Sequence, residues 1–111
     1  MNVVTFETAK RLKEAGFPQP KFYNSWQYYY TISGLLIVPG GGSPALVSET
    51  LAPSSTDILK KLGGICELSF RNTLSQWQVS WVQNQFNTEY FNHDNPAEAC
   101  AAAWLAKNEK P

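Results

Sequence analysis

His93 and Asp94 stand side by side, the single histidine of the chain next to a carboxylate, and such a pair is a common starting point for general acid–base catalysis. The nucleophile it would activate is not marked. Ser55, Ser69, Ser75 and Ser80 fall in expected caps, strands or turns, and none sits in a G-x-S-x-G elbow. Glu49, Asp57, Glu67, Glu89, Asp94 and Glu98 are scattered along the chain, and Asp57 and Glu98 have helix-capping roles ready for them. Cys66 and Cys100 lack CxxC spacing, and one histidine makes no HxxxH pair, so no metal site is expected. Pro39-Gly40-Gly41-Gly42-Ser43-Pro44 is followed by neither a Lys-Ser/Thr pair nor a helix. It reads as a connector rather than a phosphate cradle. The residues therefore point to no enzyme, no catalytic side chains and no cofactor.

The aromatics are the stronger signal. Phe22, Tyr23, Trp26, Tyr28, Tyr29 and Tyr30 crowd one short stretch, more rings than one sheet face can bury. Exposed Trp and Tyr favour protein interfaces, including contacts between copies. They also stack on single-stranded bases when a cationic groove accompanies them. Only Lys21 lies nearby in sequence, and nine Lys+Arg balance nine Asp+Glu for a formal net charge of +0. Without a positive excess, nucleic acid is the less favoured partner. Trp26, Tyr28, Tyr29 and Tyr30 are the interface candidates.

These rings need a scaffold, and the scaffold is closely specified. A first helix is expected from Thr5, whose hydroxyl can cap, to Ala15, with Phe6, Ala9 and Leu12 at helical spacing. Gly16, Pro18 and Pro20 stop it. Lys10, Arg11 and Lys13 lie in its C-terminal half and suit the helix dipole better than a binding patch. Trp26–Ile32 alternates as a strand, with Tyr28, Tyr30 and Ile32 on one face and Gln27, Tyr29 and Thr31 on the other. Ser33-Gly34 makes a turn, Leu35–Val38 returns as a strand buried on both sides, and Ala45–Thr50 can form a further short strand.

A second helix starts at Ser54, with Asp57 completing a capping box, and stops at Gly63-Gly64. Cys66, Leu68 and Phe70 then alternate with Glu67, Ser69 and Arg71, and Trp77, Val79 and Trp81 with Gln78 and Ser80, as a hairpin. The amides of Gln83–Asn87 are expected to fray that second strand or to run it out along an edge, and Thr88–Phe91 to add a short one. In the last helix Asn95 caps, Pro96 takes the first helical position, and Glu98 can reach back to the cap's own N–H. Ala99, Cys100, Ala103 and Trp104 share a face that would sit on the sheet carrying Cys66 and Trp81.

The order is α-β-β-α-β-β-α, and the expected fold is α+β, a single antiparallel sheet of four to five strands with three helices. At 111 residues, 43% hydrophobic and 14% aromatic, residues 1–111 form one domain with its own core, and residues 39–44 are a loop within it. The longest apolar run, Leu35–Val38, is far short of a membrane span. Met1–Phe6 carries neither the basic nor the apolar region of a signal peptide. Cys66 and Cys100 are read as buried free thiols of a reducing, cytoplasmic setting.

Phe6-Glu7-Thr8-Ala9-Lys10-Arg11-Leu12-Lys13-Glu14-Ala15-Gly16-Phe17 resembles the opening of small uncharacterised phage and prophage proteins of bacterial genomes, especially of the Bacteroidetes group. In those, an aromatic strand and an Ala-Pro-led helix follow, matched by Ala52-Pro53-Ser54-Ser55-Thr56-Asp57-Ile58-Leu59. The Trp strand and Asn95-Pro96-Ala97-Glu98-Ala99-Cys100 are similar to phage proteins with helices on a small sheet. The resemblance implies provenance, a cytoplasmic mobile-element product, and brings no activity with it. Together the residues suggest a non-enzymatic accessory protein acting through protein contacts or self-association. A single-stranded nucleic-acid-binding module is the alternative.

Overall fold

Three capping sequences become three helices in the computed structural model, which describes residues 3–24, 26–63 and 65–109, with residues 83 and 84 in the backbone alone. The first helix, α1, spans Phe6–Glu14; its N-cap Thr5 accepts from the Thr8 N–H, and Gly16 takes φ 96° beyond its end. The second, α2, spans Ser55–Leu62. Ser54 and Asp57 close the expected capping box, with Asp57 N–H to Ser54 Oγ at 3.2 Å and Ser54 N–H to Asp57 Oδ2 at 3.1 Å. Gly63 ends it at φ 67°; the expected partner in that stop, Gly64, lies outside the described residues. The third, α3, spans Pro96–Asn108, and Asn95 Oδ1 accepts from the Ala97 N–H at 2.9 Å.

The glutamate of this last cap does something else. Glu98 does not return to the Asn95 N–H, which instead donates to His93 Nδ1 at 3.0 Å. Its carboxylate crosses to the start of α1, accepting from Thr5 N–H at 3.0 Å and from the Thr8 hydroxyl at 2.7 Å. Asn95 Nδ2 also donates to Val3 O at 2.9 Å. Two helix N-termini, over 90 residues apart in sequence, are thus tied together by polar side chains that satisfy orphan backbone groups.

Among the described residues six strands form two sheets, not the single sheet expected. One comprises β1 (Tyr28–Tyr30), β2 (Leu36–Ile37) and β3 (Thr50–Ala52) in the order β2-β1-β3; the other comprises β4 (Ile65–Arg71), β5 (Gln76–Asn84) and β6 (Asn87–His93) in chain order. All pairings are antiparallel. The division has a local cause. On β3, the Leu51 N–H is taken by Gln19 Oε1 at 2.9 Å, and Pro53 follows with no N–H to offer. A side chain and an imino acid therefore close that edge before another strand can join it.

Other expectations shift with it. Only Leu36–Ile37 of the apolar run pairs, as an edge strand, so Leu35 and Val38 are exposed rather than buried on both sides. The strand expected at Ala45–Thr50 begins at Thr50, because the carbonyls of Val47 and Glu49 accept from Lys13 Nζ at 2.7 and 3.1 Å instead of from a neighbouring strand. Gln83–Asn87 does not fray: β5 runs to Asn84, and β6 starts at Asn87 after a tight turn and continues to His93.

α3 is the centre of the core. Pro96, Ala97, Ala99, Cys100, Ala101, Ala103, Trp104 and Leu105 are all buried, the signature of a helix covered on more than one side. It lies against α2 and also against β5 and β6, and its alanines let both approach. Val79 is fully buried beneath it, with Cys66, Leu68 and Phe91 partly buried around it. Trp104 packs edge-on to Phe17 at 5.1 Å. Lys107 Nζ lies 5.7 Å from the Trp81 ring while donating to Leu62 O at the end of α2. No helix among the described residues is long and apolar enough to cross a membrane.

Candidate functional site

The four aromatic candidates separate on folding: Tyr28, Tyr29 and Tyr30 lie on β1, the middle strand of its sheet, with Trp26 ahead of it. Tyr29 is 2% exposed. Its ring meets Tyr23 edge-on at 5.0 Å, its hydroxyl lies 3.4 Å from Gln27 Oε1, and burial pushes its phenol pKa up. Tyr30 points the opposite way, as strand alternation requires. Its hydroxyl donates to Val4 O at 2.7 Å and its ring rests 5.3 Å from Phe6. Burial, and then the Glu98 carboxylate, raise its pKa. Both are packing residues. Trp26, ahead of the strand, is 90% exposed, and Tyr28 is half-buried. Ile32, expected on the face of Tyr28 and Tyr30, lies past the strand in the exposed turn.

Trp26 and Tyr28 form one wall of a hollow of about 520 Å³, and the first turn of α2, from Ser54 to Asp57, forms the other. A second hollow of about 280 Å³ opens beyond it, bounded by Pro18, Pro20, Asn24, Lys60 and Lys61. Gln27 and Asp57 line both, so the two adjoin as one interrupted groove between Asn24, Trp26, Gln27 and Tyr28 on one side and α2 on the other. Asn24 Nδ2 donates to Gln27 Oε1 at 2.7 Å, which fixes the amides in that wall. The Asp57 carboxylate is engaged in the capping box. Lys60 and Lys61 sit in the last turn of α2, exposed, and neither makes a hydrogen bond or ion pair to the described residues.

The groove therefore presents an indole, a phenol, three amides, one carboxylate and two ammonium groups. It offers binding chemistry, and no side-chain hydrogen bond pairs a nucleophile with a base among its described residues. His93 is on β6 opposite Trp77, and its Nδ1 is occupied by the Asn95 N–H. It helps start α3, and Asp94 beside it is exposed. Among the described residues no three His, Cys, Asp or Glu side chains gather as metal ligands. The cysteines are free thiols: Cys66 is half-buried, with Sγ 3.4 Å from Gly63 O, and Cys100 is buried.

The basic cluster of α1 is absorbed internally. Lys10 lies 4.6 Å from the Phe6 ring, Lys13 holds the two carbonyls already described, and Arg11 makes a two-pronged pair with Glu109 at 2.7 and 3.2 Å. That Lys60 and Lys61 line the hollow adjoining the one walled by Trp26 and Tyr28 was not legible. More than 30 residues of chain separate them, and their spacing reads only as the solvent face of a helix. Comparison of the chain with known families, curated proteins and solved structures finds no match.

Proposed function

We propose that the protein is a non-enzymatic binding protein that works through protein contacts, with a partner or with its own copies, at the groove flanked by Trp26 and Tyr28. The observation that supports this most directly is the 90% exposure of Trp26 beside a hollow walled by Tyr28. Covering an indole removes on the order of 200 Å² from water, about 5 kcal/mol of gross hydrophobic gain before ordering costs. Such a ring is the kind of anchor on which interface energy concentrates. The resemblance to phage and prophage proteins supports an accessory role in a mobile element, in the cytoplasm of its host.

Sedimentation velocity across a wide concentration range, with and without Trp26→Ala, tests the self-association form, and capture from host lysate with the same variant tests the partner form. Trp26-dependent association in either supports the reading. A strict monomer whose captured proteins are unchanged by Trp26→Ala would overturn it.

The position of Lys60 and Lys61 in the hollow adjoining the one walled by the rings favours a second reading, a single-stranded nucleic-acid module. It predicts oligonucleotide binding that weakens with salt and with Tyr28→Ala; no binding at low salt would remove it.

A further inference from the structure

Two features of the groove point to the chemistry of its occupant. Its far hollow carries two cations, Lys60 and Lys61, that pair with no described residue, against one carboxylate in its wall, Asp57, which its own helix cap engages. Its near hollow carries the apolar surface of Trp26 and Tyr28. Building on the protein-contact reading, we propose that this groove binds an extended acidic peptide segment of a partner protein. Carboxylates of the segment meet Lys60 and Lys61, and an apolar or aromatic side chain packs on Trp26 and Tyr28.

Complementary charge sets register and partner choice at such a surface, while the aromatic contact supplies most of the hold. Gln27, which lines both hollows, and Asn24, bonded to it in the far one, offer further donors and acceptors for a peptide backbone. A nucleic-acid strand fits less well. It places a charge at every nucleotide and needs a cationic track along its length, whereas the groove offers two adjacent lysines with Asp57 next to them. A peptide with one or two carboxylates matches that count.

The test uses the full chain and fluorescein-labelled random copolymers of Glu and Tyr, with polyglutamate and an oligothymidylate as comparisons, read by anisotropy. The Glu–Tyr copolymer is expected to bind more tightly than polyglutamate. Trp26→Ala and the double variant Lys60→Gln/Lys61→Gln are each expected to weaken it about tenfold, with circular dichroism unchanged because all three side chains are exposed.

Failure of the copolymer to bind, or binding that both variants leave intact, overturns the acidic-peptide assignment. Preferential binding of the oligothymidylate, lost in the same variants, overturns it in favour of nucleic acid. Trp26-dependent self-association or capture persisting without copolymer binding sinks this inference alone and leaves the protein-contact reading standing.

Discussion

Replacing Glu98 with alanine removes the carboxylate that joins α3 to the start of α1, and the loss can be sized from the contacts. Two bonds to a charged acceptor disappear, one from Thr5 N–H at 3.0 Å and one from the Thr8 hydroxyl at 2.7 Å. Bonds to charged groups contribute about 1.5–3 kcal/mol each when well shielded. The first is exposed and the second only partly buried, so about 2 kcal/mol for both together is the reasoned figure. The dipole of α1, which the carboxylate also faces, is included in that sum. At about 2.1 cal/mol/K of unfolding entropy per residue, a chain of 111 residues loses about 9 °C of Tm for 2 kcal/mol.

Urea and thermal unfolding of Glu98→Ala measure this directly. Glu98→Gln keeps one acceptor oxygen and should lose about half as much. A cycle with Thr8→Ala isolates the shared bond from the Thr8–Thr5 hydroxyl contact at 3.2 Å and should show coupling of about 1 kcal/mol. If Glu98→Ala unfolds within about 0.5 kcal/mol of the parent, or the cycle shows no coupling, Glu98 does not bridge the helices and the reasoning fails.

Three further outcomes are expected. Gly34→Ala should cost more than Gly16→Ala in chemical denaturation: both have positive φ, but a Cβ at Gly34 would meet Phe6 Cδ2 at 3.0 Å, whereas at Gly16 it would meet nothing within 4 Å. The expected costs are about 2 and about 1 kcal/mol, and equal losses would show that the Phe6 contact is not felt. Burial pushes the Cys100 thiol up to about 12 and raises Cys66 as well. Thiol titration with Ellman's reagent at neutral pH should therefore modify half-buried Cys66 slowly and Cys100 only on unfolding; equal rates would contradict the packing of α3. Hydrogen bonding to Arg11 holds the Glu109 carboxyl below its ordinary value, so what this exposed pair contributes is present above the unfolded carboxyl's value and disappears as pH falls through the lowered one. Glu109→Gln should flatten the acid limb of the stability curve slightly, by an amount that shrinks with added salt; an unchanged acid limb at low salt would show that the pair is not formed in solution.

Local chemistry determined the elements whose signals lie within a few residues. The Ser54–Asp57 box, the Asn95-Pro96 start of α3, the Gly16 stop and the antiparallel hairpin of β4 and β5 all follow from caps, turn residues and period-two alternation. What short-range rules left open was decided by groups distant in the chain. Gln19 closes the edge of β3, Lys13 claims the carbonyls that would have extended that strand, and Glu98 caps α1 instead of its own helix. The aromatic stretch shows the same division. Composition could mark Trp26, Tyr28, Tyr29 and Tyr30 as surplus to one face, but only the sheet order and the packing of Phe6 and Tyr23 sent Tyr30 and Tyr29 inward and left Trp26 in solvent. The placing of Lys60 and Lys61 in the hollow adjoining the one Trp26 lines is likewise tertiary, since residue types and spacing report the free energy of a turn or a stripe and carry no record of which stripes meet.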